Sequence, residues 1–369
     1  MRKLLQKLLR KPITWLAGKL SSSPHRKDVF VSLDQLLRNL TDQKTGYPTP
    51  IPFDMDTGRF IILSDQHKGA KDAADDFRHT ENNYMAALQH YFNEGFTFIN
   101  LGDCEELWEN KPAVAVEKNR LTLLEEAQFL AAGRYYRVFG NHDLEWKYQF
   151  PETLYLKPLF GERLEVYEGL LLTTAYNGKP YSFFLAHGHQ GDQRSDGNAF
   201  STWFVAAIWT PIQRYLEISI DTISDSFELV DTHNIMMYEW SATQKDMVFI
   251  SGHTHKPVFA SLDHIDRLAK QLDKAKAAND SGQVAALQQE LDRRKQEYAG
   301  KKLVKTMARP SYFNTGCCCF SDGDLTGIEI DRGFIRLVKW KAEDNTGKRI
   351  VLEESPLFYV FDQLEAPET

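Results

Sequence analysis

Five short polar segments, each set directly after an apolar run, constrain this chain more than any other feature. They are Asp65-Gln66-His67, Gly102-Asp103, Gly140-Asn141-His142-Asp143, His187-Gly188-His189 and Gly252-His253-Thr254-His255, and six of the eleven histidines fall inside them. The runs before them are Phe60–Leu63, Phe98–Leu101, Tyr135–Phe139, Ser182–Leu185 and Met247–Ile250. Each pair reads as a buried strand ending in a polar loop. In a layered α/β protein such loops gather at the carboxyl ends of the strands, where open sheets place their sites. Residues far apart in sequence are then expected to converge on one small volume.

The chain of 369 residues is long enough for one large domain or two ordinary ones. A net charge of -7 argues against a protein dominated by phosphate-backbone binding, so nucleic acid is not the expected partner. The four cysteines, Cys104 and the run Cys317-Cys318-Cys319, form no disulfide framework and fit a reduced, cytosolic compartment. On a regular strand consecutive side chains point to opposite faces, so the run of three is expected to pack as small core residues rather than as one ligand cluster. No apolar run approaches the roughly 20 residues of a membrane span.

Residues 1–50 read as an amino-terminal appendage, 51–345 as the main domain and 346–369 as a carboxy-terminal extension. Within the appendage, residues 1–20 interleave Arg2, Lys3, Lys7, Arg10, Lys11 and Lys19 with leucines at helical spacing. Three roles fit such a segment: a helix on an anionic membrane surface, which would make the protein peripheral on the inner face, a helix docked on the protein's own body, or a partner-binding helix. A short helix is expected around Leu33–Leu40. From Arg59 onward, helical spacing of Tyr84, Leu88, Tyr91 and Phe92, and then of Leu121, Leu124 and Ala127, separates the first three motifs in a βαβ rhythm. Later strands are expected at Leu170–Leu172, Tyr181–Ala186, Ser311–Asn314, Thr326–Ile330 and Phe334–Trp340. Two helical insertions interrupt them. Asn198–Gln244 is rich in large apolar residues and serves as a lid or as extra core. Leu262–Tyr298 reads as a helical hairpin and serves as a lid, as a surface for a homodimer or as a solvated hairpin.

The motifs D-x-H, G-D, G-N-H-D, H-G-H and G-H-T-H, in this order and each after a strand-like run, resemble the calcineurin-like metallophosphoesterase superfamily across about Arg59–Trp340. The resemblance implies a layered α/β/β/α sandwich and two divalent metal ions per chain, Mn2+ first among the choices, with Fe or Zn2+ also suited to the same N/O ligands. It assigns Asp65, His67 and His255 to one ion, Asn141, His187 and His253 to the other, and Asp103 to the bridge between them. His142 matches the catalytic histidine, and Asp143 is expected to orient its imidazole. A water bridging two such ions becomes a hydroxide-like nucleophile that attacks phosphorus in line. His189, Glu106, Asp192 and Arg194 are the expected contacts to substrate or to the ligands themselves.

Within the superfamily, Gly102-Asp103-Cys104-Glu105-Glu106-Leu107-Trp108 is similar to the G-D-x-x-E-x-W of the UDP-2,3-diacylglucosamine pyrophosphohydrolase-like branch, as is Gly252–Pro257 to that branch's last motif. The branch commonly has Arg at the position of His142, and it lacks the length of this chain's insertions and appendage. The expected substrate is a phosphorylated small molecule or lipid, cleaved at a phosphomonoester, phosphodiester or pyrophosphate bond. Two other classes stand beside this one. A nuclease would need a positive groove, against the surplus of acid. A non-enzymatic metal-binding scaffold would have little use for a complete ligand set with His142 beside it.

Overall fold

The computed structural model describes residues 25–72, 75–191, 227–261, 309–342 and 347–365, together with parts of 272–292. In chain order the elements are α1 (Arg26–Thr41), β1 (Ile51–Pro52), β2 (Arg59–Leu63), α2 (Phe77–Asn93), β3 (Thr97–Leu101), α3 (Pro112–Lys118), α4 (Arg120–Ala131) and β4 (Tyr135–Val138). Short helical turns then run from Leu144 to Phe160. They are followed by β5 (Val166–Tyr167), β6 (Gly169–Tyr176), β7 (Lys179–Ala186), α5 (Phe227–Thr243), β8 (Met247–Ser251), β9 (Tyr312–Asn314), β10 (Leu325–Asp331), β11 (Phe334–Lys341), β12 (Lys348–Pro356) and α6 (Leu357–Glu365).

Two sheets result, one in the order β12-β11-β10-β2-β3-β4-β5 and one in the order β1-β6-β7-β8-β9. Alternation along each strand decides what lies between them. Phe60 and Ile62 of β2 face Leu172, Phe183, Leu185, Val248 and Ile250 of the other sheet, while Ile61 and Leu63 point outward to Phe77, Tyr84 and Leu88 of α2. On the far side Val29, Leu33, Leu36 and Leu40 of α1 recur every three to four residues and pack with Trp240 and Met237 of α5 on Leu171, Phe184 and Phe249. The layers are helix, sheet, sheet, helix, as the motif resemblance implies.

The five motif-bearing strands are β2, β3 and β4 in one sheet and β7 and β8 in the other, and within each sheet they run parallel. The loops of both sheets meet at one end, where ligand atoms of Asp103, His187 and His253 lie within 4.8 Å of one another. The ladders do not stop where the strands do. Backbone amides of Asp65, His67 and Lys68 donate to the carbonyls of Gly102, Asp103 and Cys104 at 2.9–3.0 Å, and Leu107 donates to His142. Across the second sheet, Gly252 donates to the His187 carbonyl and Thr315 to that of Ser251.

Three elements differ from the sequence expectation. The helix foreseen at Leu33–Leu40 begins at Arg26 and covers the second sheet. Helix α4 is rotated from its expected face: Leu121 is 67% exposed and Leu124 37%, while Thr122, Leu123, Glu126 and Phe129 turn inward. Cys317–Cys319 occupies a loop after β9 rather than a strand, with Cys318 packed among core side chains. The described end of the first insertion, α5, is core through Met237 and Trp240, and in the second Leu272 and Leu291 pack together beside Val284 and Leu287.

Beneath the loops of β2, β3 and β4 lies a buried ionic cluster. Lys68 pairs with Glu126 and stands 3.5 Å from Glu105; Arg137 pairs with Glu105 and stands 3.6 Å from Asp143. All five side chains are fully shielded from water. Tyr84 and Tyr135 donate to Glu126, and the Trp146 indole donates to Glu105. Removing one member of such a cluster strands its partner's charge in a low-dielectric interior. Arg137→Met is expected to cost about 3–5 kcal/mol. Equilibrium denaturation by urea reads the loss as a lower midpoint at unchanged slope.

Candidate metal centre

The loop ends place their side chains in one volume by adopting backbone conformations that L-residues rarely hold. Asp65, His67, Asp103, His253 and His255 all have φ between 51° and 70°. Left-handed conformations at non-glycine residues cost of order 1–3 kcal/mol each and persist where the surroundings impose them. Close packing of the loops explains two of the motif glycines. A Cβ at Gly140 would collide with the Asp103 carboxylate, and one at Gly252 with Ser64 and the Asp65 carboxylate.

Among the groups of metal-ligand atoms that form at the described residues, two match the expected ligand sets. Asp65, His67 and His255 offer theirs within 4.8 Å of one another, and so do Asp103, His187 and His253. In the first, His255 Nε2 lies 3.3 Å from Asp65 Oδ1 and 3.1 Å from His67 Nε2. In the second, His187 Nε2 lies 3.0 Å from Asp103 Oδ2, which is also 3.7 Å from His67 Nε2. Asp103 is thus within reach of both groups. The residues fit divalent ions on a further ground. The buried Asn141 Oδ1 and His253 Nε2 have no hydrogen-bond partner in the protein, a costly state for polar atoms unless a ligand satisfies them.

Outer partners fix which ring nitrogen faces inward. His187 Nδ1 faces the Leu101 carbonyl at 2.9 Å, and His67 Nδ1 faces Glu106 Oε2 at 3.0 Å, so each Nε2 carries the lone pair that a cation requires. Glu106 Oε2 also lies 2.7 Å from His142 Nδ1. Trp108 stacks on the His142 ring at 3.9 Å between centroids. The carboxylate set against His142 is therefore Glu106, a correction to the role expected of Asp143. Asp143 turns away and accepts from the backbone amides of Gly140 and Cys104 at 2.6 and 3.0 Å, so it shapes the loop rather than the imidazole.

His189 is buried beside His187, with 5.5 Å between ring centroids, and contributes no atom to either ligand group. Asp192 and Arg194 lie outside the described residues. His233 of α5, which the sequence reading did not single out, reaches the centre: it bonds the Gly188 carbonyl at 2.8 Å and its ring lies 5.1 Å from that of His253. A lone histidine in an apolar insertion carries no signal of this. Arg137 did carry one, as a charge in the middle of an apolar strand.

Electrostatics divide the rings into two classes. Burial disfavours charge on all of them, but Asp103 and Asp65 outweigh it at His187, raised to about 9, and Asp65 does so at His255, raised to about 10. At His142 burial is overcome by Glu106 and Asp103, and the value rises to about 9. His189 and His253 go the other way. Burial and the neighbouring His187 push His189 down to about 3, and burial with His233 and His187 holds His253 well below the usual range.

The calcineurin-like phosphoesterase profile matches residues 58–257, just over half of the chain. No curated protein matches. Among solved structures, vacuolar protein sorting 29 from Cryptosporidium parvum is 12% identical, covering 81% of this chain and 98% of its own, with a TM-score of 0.31. A single-substitution variant of Vps29 from Entamoeba histolytica is 14% identical, covering 80% and 99%, with a TM-score of 0.29. Likeness at these scores bears on neither fold nor function.

Because folding raises its pKa, protonated His142 contributes stability to the metal-free chain. That contribution is complete below about pH 6.5, the ordinary value, and is lost as pH rises through about 9. Glu106→Gln removes the nearest charge, so the His142 pKa is expected to fall by about one unit or more. Imidazole chemical shifts followed across pH in the metal-free protein measure it.

Proposed function

The chain belongs to the calcineurin-like phosphoesterase family, and we propose that it is a hydrolase acting on a phosphoester or phosphoanhydride with two divalent metal ions. The observation that carries this reading is the pair of ligand groups sharing Asp103, with the outer nitrogens of His67 and His187 already committed to Glu106 and Leu101. Asp65, His67 and His255 would hold one ion; Asn141, His187 and His253 the other; Asp103 both. Ions held there supply positive charge at the phosphoryl oxygens and lower the pKa of bound water.

The protein's own groups do the rest. Glu106 and the stacked Trp108 fix the His142 ring, with Nδ1 on the carboxylate and Nε2 left to face the substrate. In that orientation the Nε2 proton is available to the leaving oxygen, general-acid work worth about 10²–10⁴-fold. His189, kept neutral by burial, adds no charge that would repel the ions. Asp143 and the Gly140 amide hold the turn that carries Asn141 and His142.

Kinship with the UDP-2,3-diacylglucosamine pyrophosphohydrolase-like branch is the finer form of the proposal. It is supported by the match of Glu106 and Trp108 to the E and W of G-D-x-x-E-x-W, and His142, where the branch commonly has Arg, is the departure from it. On this reading the substrate is lipid-linked or a sugar nucleotide, and residues 1–20, outside the described residues, bring the enzyme to an anionic membrane surface. No helix among the described residues is long and apolar enough to cross a membrane.

The manganese-loaded chain is expected to hydrolyse at least one of an aryl phosphomonoester, an aryl phosphodiester, a nucleoside diphosphate and a sugar-nucleotide lipid. Asp103→Asn should abolish most of that activity together with bound metal measured by elemental analysis. His142→Asn should keep the metal and lose about 100-fold in turnover. Full metal content in a wild-type chain inert toward all four substrates would leave a binding module instead.

A further inference from the structure

The loop after β9 carries a second donor set that the hydrolase reading does not use. Cys317 and Cys319, two residues apart, turn to the same side, and their sulfurs lie with a His255 ring nitrogen inside a 4.8 Å compass. Cys319 Sγ is 4.0 Å from His255 Nδ1. Cys317 is buried, while Cys319 and His255 are half-buried, leaving an approach from solvent. The other nitrogen of the same ring, Nε2, points at Asp65 and His67. One imidazole therefore stands between an oxygen and nitrogen set on one edge and a sulfur set on the other.

Two thiolates and an imidazole suit zinc or cadmium and not magnesium or manganese. Tetrahedral zinc, with bonds of about 2.3 Å to sulfur and 2.0 Å to nitrogen, holds such ligands about 3.5–3.8 Å apart. The three atoms need to draw in by little more than about 1 Å, with solvent at the fourth position.

We propose that Cys317, Cys319 and His255 form a separate site for one thiophilic d10 divalent cation, and that this site competes with the Asp65 group for His255. Binding displaces the two thiol protons to solvent. A neutral imidazole has one lone-pair nitrogen. A cation on Nδ1 places the ring proton on Nε2, which then donates to Asp65 and no longer ligates beside it. Zinc or cadmium in excess would then open the first ion's coordination without touching Asp103. The competition rests on the hydrolase reading of Asp65, His67 and His255; the thiolate site itself does not.

The full chain titrated with cadmium chloride tests it, because sulfur-to-cadmium charge-transfer absorption in the ultraviolet arises only from thiolate ligands. One equivalent is expected to saturate the band, and cadmium-113 resonance of the wild-type chain should report two sulfur ligands. Cys317→Ser and Cys319→Ser should each weaken binding more than about tenfold, whereas Cys318→Ser and Asp103→Asn keep the band. A band retained in Asp103→Asn supports the site even if the hydrolase reading fails. Absence of the band in the wild type, or its persistence in the Cys317→Ser/Cys319→Ser double variant, overturns the proposal. Release of manganese from the loaded chain, followed by its electron paramagnetic resonance, should need less cadmium in the wild type than in the double variant. Equal release overturns the competition.

Discussion

The buried cluster of Lys68, Arg137, Glu105, Glu126 and Asp143 is what the geometry of the centre depends on. Its members come from the loops after β2, β3 and β4, from β4 itself and from α4, so one set of charges ties together three of the five ligand-bearing loops. Each charge would cost several kcal/mol to bury alone. Together they are held by Tyr84, Tyr135, Trp146 and the amides of Gly140 and Cys104, which leaves every carboxylate in the cluster with partners. A network this densely paired disfavours other arrangements, and breaking any member leaves its partners' charges uncompensated in the low dielectric.

That rigidity answers the strain above it. Five site residues occupy left-handed backbone, and the imidazoles of His67, His187 and His255 crowd the carboxylates of Asp65 and Asp103. Left to itself, a loop would relax by rotating the strained residue away. Here the extended ladder between the first two loops, the close approaches at Gly140 and Gly252 and the ionic cluster beneath deny it that route. Stability is thereby spent at the core to keep ligand atoms in place.

Much of this was legible in the sequence because strand periodicity and motif order are local signals. A run such as Phe60–Leu63 ending at Asp65 fixes a strand, its buried faces and the placement of its loop without knowledge of any partner. What failed to show were relations between distant side chains. Helix α4 looks amphipathic through Leu121 and Leu124, yet Glu126 must reach Lys68, and that single buried ion pair rotates the helix and exposes both leucines. The role expected of Asp143 failed similarly. Adjacency in sequence suggested that it would orient His142, but consecutive residues in a tight turn diverge, and Glu106 arrives from another strand's loop. Strand β12 pairs with β11 at the sheet edge with none of its residues buried, so it lacked the alternation that betrays the inner strands.

Glu106 also shows how two functions can be bound into one atom. Its Oε2 lies within hydrogen-bond distance of both His67 Nδ1 and His142 Nδ1, and burial notwithstanding, those two rings hold its carboxyl down to about 2. The first contact aims the His67 Nε2 lone pair at the Asp65 group; the second favours the doubly protonated form of His142, whose further proton sits on Nε2. An amide oxygen in its place could still accept from both rings but would carry no charge to hold His142 protonated. The metal-facing and proton-carrying halves of the centre are therefore not independent. Whatever displaces Glu106 misaims a ligand and an acid together, which makes it the residue on which the two halves are joined.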